Sequence, residues 1–167
     1  MSTHFKIDHD FDIDTEGYWQ VFFDEGCMKD LYRELRIDFQ VAETKDDGKI
    51  LRRVVKLRAQ REIPAMFKAV VGDLSYTEID TFDRPRSSMQ VVVEPAMMKD
   101  RFDMRGVYSV APLGPGRCRR TFEGDAKVSV ALIGGKIEKY MADEIRASYD
   151  VAARITRTWI ERRKQSA

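Results

Sequence analysis

Histidine and cysteine are scarce in this sequence, with two of each, and their scarcity removes several chemistries at once. Cys27 and Cys118 stand far apart and form no CxxC spacing, so neither a disulfide framework nor a zinc site is indicated, and both are expected to be reduced and structural. His4 and His9 fall at or near one predicted strand with opposite parity, so they face opposite sides and do not join in one metal site or one catalytic step. A serine or cysteine nucleophile therefore lacks a ready base, and no GxSxG elbow occurs. Neither sign of charge dominates: 29 lysines and arginines stand against 28 aspartates and glutamates, so no global field draws the chain to nucleic acid. No apolar run reaches the length of a membrane span. The start, "MSTHFKIDHDFDID", lacks the basic opening and apolar core of an export signal, which predicts a cytoplasmic protein without stable membrane insertion.

What remains is a chain of 167 residues, 43% hydrophobic and 34% charged, which suits one globular domain over residues 1–167 with a core that needs no staples. From Phe5 to Ile13 apolar and polar residues alternate, the period of a strand with one wet face. "DTEGYWQVFFDEG" follows as a short helix, with Asp14 or Thr15 as its cap and Gly26 as its left-handed stop. Met28, Leu31, Tyr32 and Leu35 then mark a second short helix. Two alternating runs joined through Asp47-Gly48 predict a hairpin, and Pro64 and Gly72 bracket a short crossing helix. "LSYTEIDTF", "SMQVVVEPA", "RFDMRGVYSVA" and "GRCRRTFEGDAKVSVAL" read as further strands separated by turns, for seven in all. A long amphipathic helix closes the chain from near Gly135 toward Arg163, with Ile137, Met141, Ile145 and Tyr149 at steps of four.

Apparent motifs weaken on inspection. "GGKI" at 134–137 lacks the first glycine and the hydroxyl of a phosphate loop, so Gly134 and Gly135 read instead as the hinge between sheet and helix. The acids Asp8, Asp10, Asp12 and Asp14 miss the glycine and glutamate of a calcium loop in both registers and read as a solvated strand face. The eight methionines read as flexible core filler rather than as a binding surface. Two arginines stand out. Arg53 shares a face with Leu51, Val55 and Leu57, and Arg120 with Cys118, Phe122 and Ala126. Two readings stay open for each: a bulge or strand end returns it to water, or it points inward and needs a carboxylate or an anionic ligand.

Strand, two short helices, six strands and a long C-terminal helix resemble the α+β helix-grip fold of the START-like superfamily, in which a curved antiparallel sheet wraps the closing helix. More narrowly, "FDIDTEGYWQVFFDE", "LSYTEIDTF", "GRCRRTFEGDAKVSV" and "LIGGKIEKYMADEI" are similar to a bacterial START-like family of unknown function. The resemblance implies a cavity between sheet and helix that holds a hydrophobic small molecule or lipid, and supplies no fixed catalytic motif; with the residue patterns above, no metal and no cofactor are expected. Alternation and helical spacing then propose Phe102, Met104, Tyr108, Phe122, Met141, Ile145 and Tyr149 as cavity walls, with Arg53 or Arg120 as an anchor for a ligand carboxylate or phosphate. Two other readings stay open: a polyketide-cyclase-like enzyme with a proton donor at Tyr76, Tyr108 or Tyr149, and an interaction module with a filled core.

Overall fold

A computed structural model describes residues 2–167 of the chain. Strand β1 (Thr3–Phe11) leads into helices α1 (Thr15–Phe22) and α2 (Glu25–Glu34), then β2 (Ile37–Asp46) and β3 (Ile50–Ala59), helix α3 (Ala65–Val71), strands β4 (Ser75–Asp83), β5 (Ser88–Pro95), β6 (Phe102–Gly114) and β7 (Arg117–Val128), and helix α4 (Gly134–Gln165). The strands form one curved, seven-stranded antiparallel sheet in the order β1-β7-β6-β5-β4-β3-β2, so the chain crosses from one edge to the other through α1 and α2. This is the helix-grip arrangement, with α4 against the concave face.

Local chemistry fixes most boundaries. Asp14 caps α1 by accepting from the Gly17 N–H at 2.7 Å, and Asp24 caps α2 by accepting from Gly26 and Cys27. Gly26 therefore lies inside α2 and is not the stop of α1, contrary to expectation. A side chain there would put its Cβ 2.5 Å from the Trp159 ring of α4, so the glycine serves a close approach between helices. The β2–β3 turn does use Gly48 at φ 91°.

The turn into α4 also departs from the sequence reading. Gly134 and Gly135 do not supply the left-handed residue; Leu132 does, at φ 70° and 99% exposed. Gly134 is instead where the chain passes so near the Val128 carbonyl that a Cβ would lie 2.4 Å from it. Glu138, one turn on, is buried and accepts from the Val128 backbone N–H and the Thr3 hydroxyl, which ties the start of α4 to both β7 and β1.

Helix α4 packs on β1, β7, α1 and α2. Phe5, Phe11, Tyr18, Phe122, Ala153 and Ile160 close this part of the core almost completely. β6 still meets the helix where Tyr108 reaches Tyr149, but β3, β4 and β5 lie beyond its main contacts, and there the interior opens.

Candidate functional site

The opening is a cavity of about 330 Å³ between the concave face and α4. Period-two alternation brings Arg53 from β3, Tyr76 and Glu78 from β4, and Met89, Val91 and Val93 from β5 to its wall. Strand β6 adds Phe102, Met104 and Tyr108, and β7 adds Arg120 and Phe122. Met141, Ile145 and Tyr149 enter from α4 at helical spacing, and Phe22, Met28 and Tyr32 cover the far end from α1 and α2. Every side chain proposed from the sequence as wall or anchor thus reaches this one cavity. Met97 and Met98 line it too, so methionines expected as core filler largely form a soft, adaptable wall.

Aromatic contacts set one side of the wall. Tyr149 stacks on Phe122 at 4.6 Å between ring centroids, nearly parallel, and Tyr108 meets both rings at 5.4 Å and 4.8 Å. Burial raises the Tyr108 and Tyr149 hydroxyls well above their ordinary pKa, so both remain protonated donors at neutral pH.

The two arginines point inward, and no bulge returns either to water. Arg53, 7% exposed, donates from Nη2 and Nε to Asp80 Oδ2 at 2.8 and 3.1 Å, and its guanidinium lies over Phe23 and Phe22. Its need for a carboxylate is met inside the protein. Arg120, 1% exposed, has no carboxylate in contact among the described residues. It donates to the Tyr18 hydroxyl at 3.3 Å, to His9 Nδ1 at 2.9 Å and to the Tyr149 carbonyl at 3.2 Å, while the faces of Phe11, Tyr108 and Tyr149 surround it. Its Nε has no acceptor among the described residues.

His9 completes this arrangement. Because its Nδ1 accepts from Arg120, its proton belongs on Nε2, which donates to Asp150 Oδ1 at 2.8 Å. Burial first, and the Arg120 charge after it, hold the imidazole pKa below its ordinary value despite Asp150, in keeping with a neutral ring. The counter-charge of Arg120 therefore stands one residue removed. His4 lies on the outer face beside Glu123 and Asp125, on the opposite side of β1 from His9.

The match that decides the family is with the protein of unknown function DUF2505, over residues 6–160. The chain belongs to that family. No curated protein matches this DUF2505 chain. Among solved structures, the Zhui aromatase/cyclase from Streptomyces sp. R1128 is 14% identical with a TM-score of 0.70, over 98% of this chain and 96% of that one. Norcoclaurine synthase from Thalictrum flavum is 16% identical with a TM-score of 0.62, over 93% and 86%. A START superfamily protein from Mycobacterium smegmatis is 13% identical with a TM-score of 0.58, over 95% and 97%. Identities this low speak for the fold alone, and the fold is START-like.

The sequence reading missed Glu78 and Asp80 on β4. Tyr76, Glu78, Asp80 and Phe82 share one face of "LSYTEIDTF", and that face turns inward. The signal was an acidic pair framed by aromatics at strand period. Assigning it needed the register that sets Asp80 opposite Arg53. No helix of the described residues is long and apolar enough to cross a membrane.

Proposed function

We propose that this protein binds and carries a hydrophobic small molecule or lipid in the cavity between sheet and α4. The cavity itself is the observation that supports the reading, because it is walled mainly by aliphatic, aromatic and methionine side chains and follows directly from where α4 docks. Kept dry and empty, a void of 330 Å³ costs about 8 kcal/mol at roughly 24 cal/mol per Å³. An apolar occupant removes that cost. A ligand burying about 400 Å² gains roughly 10 kcal/mol gross, and association costs of several kcal/mol leave an affinity on the order of micromolar or weaker. That range suits carriage with release. Arg120 is the proposed anchor for a ligand carboxylate or phosphate, since among the described residues its guanidinium has no carboxylate in contact and its Nε has no acceptor. Arg53, already matched by Asp80, contributes wall rather than charge.

Titration of the full chain with a fluorescent fatty acid tests the proposal. Saturable binding near the micromolar range is expected, and V93F, which fills the cavity from β5, should weaken it about tenfold while the fold survives. Absence of saturable binding, or equal binding by V93F, contradicts the reading.

A further inference from the structure

The Arg53, Asp80 and Glu78 side chains form a cluster whose charges do not balance. Asp80, 0% exposed, accepts at Oδ2 from Arg53 Nε and Nη2, and its Oδ1 has no donor among the described residues. Glu78 stands two residues along β4 on the same face and lines the cavity, with Val55 and Val93 opposite it on the neighbouring strands. Two carboxyls thus share one guanidinium, and Asp80 already neutralises it. A second carboxylate in apolar surroundings needs its own cation, and a proton is the smallest.

The direction of the Glu78 pKa agrees. Burial first, then the Asp80 charge, hold it well above the usual carboxylate range, with Arg53 opposing. A protonated Glu78 carboxyl is also able to donate to Asp80, where a carboxylate could only repel it. Among the described residues, no other group facing this end offers a spare cation. Tyr32 from α2, Tyr76 from β4, Tyr108 from β6 and Tyr149 from α4 are neutral phenols with raised pKa, burial being the first cause in each. Arg61, beyond β3, pairs with Glu144 of α4 on the same wall. Arg120 belongs to β7, with β5 and β6 between it and β4, and donates to Tyr18, His9 and Tyr149.

We propose that this end of the cavity is an amine site: a hydrophobic ligand carrying a primary amine sets its ammonium against Glu78, which releases its proton and becomes the counter-charge. The inference rests on the carriage reading and narrows its ligand class. No covalent bond to carbon changes; one ammonium enters and one proton leaves to solvent. An alcohol of the same shape offers a hydrogen bond but no charge, and tyrosine faces around the site favour a cation further. Below the pKa of Glu78 the amine's affinity rises about tenfold per pH unit, and above it the rise stops.

Isothermal titration calorimetry with decylamine and decanol on the full chain, in two buffers of different ionisation enthalpy between about pH 5 and 8, decides it. Decylamine should bind at least about tenfold more tightly than decanol, with release approaching one proton per amine at the acid end, and E78Q should bring the two ligands level. Equal affinities in the wild type, or an amine preference that persists in E78Q, overturn the amine site while binding of decanol leaves the carriage reading standing. Failure of both ligands to bind overturns both. If E78Q does not fold, proton release by the wild type decides alone, and its absence at every pH overturns the proposal.

Discussion

Arg53 and Arg120 are the same residue type on the same concave face, yet their surroundings assign them different work. Arg53 has a carboxylate at hydrogen-bond distance and serves the fold, whereas Arg120 has phenol, imidazole and carbonyl partners and an Nε with no acceptor among the described residues. Removing one member of a buried ion pair ordinarily costs about 3–5 kcal/mol. Here D80N alone should cost less, because Glu78 lies close enough to feel the Arg53 charge and ionises to replace the lost partner. The double variant D80N/E78Q has no replacement and should lose the full amount, about 3–5 kcal/mol in urea unfolding. Equal losses in the single and double variants would show that Glu78 does not exchange protons with the pair. Alternation along β3 and β7 put both arginines on the apolar face but left open a bulge or strand end that would return them to water. Their partners were not legible, since Asp80 meets Arg53 only through the β3–β4 register and His9 meets Arg120 only through β1–β7 pairing.

Between β7 and α4 the chain turns through Leu132, a branched side chain in the left-handed region and fully in solvent. Asparagine tolerates that conformation better, so L132N should raise stability by about 0.5–1 kcal/mol, read as a shift in the denaturation midpoint. An unchanged or lower midpoint would mean that Leu132 makes a stabilising contact. The order of elements and most of their bounds followed from hydrophobic period, caps and the Asp47-Gly48 turn, which are local signals. What the glycines do was harder to read, because a glycine looks the same in sequence whether it supplies a left-handed turn or room for a neighbour. Gly26 and Gly134 are of the second kind, and the neighbours, Trp159 and the Val128 carbonyl, are fixed only by tertiary packing. Gly124 is another: a Cβ there would lie 2.2 Å from the Arg105 carbonyl and close to its cross-strand partner Gly106, where β6 and β7 bend together.

The lopsided seat of α4 shapes the molecule as a whole. The helix packs mainly on β1 and β7 at one edge of the sheet and on α1 and α2, so the sheet from β3 to β5 is left to enclose space beside it. Amphipathic spacing in α4 and one-faced strands made a grip of sheet on helix readable from the sequence. The volume left beside the helix was not, because it depends on which strands the helix touches. The proposed work of the protein, holding an apolar compound and letting it go, depends on that volume being occupied. Native mass spectrometry of the full chain, purified without detergent and sprayed gently, tests this most directly. The account predicts an added mass of one small apolar compound that organic extraction removes and that V93F reduces. A bare polypeptide mass that stays bare after incubation with cell-derived lipids and amines would contradict it.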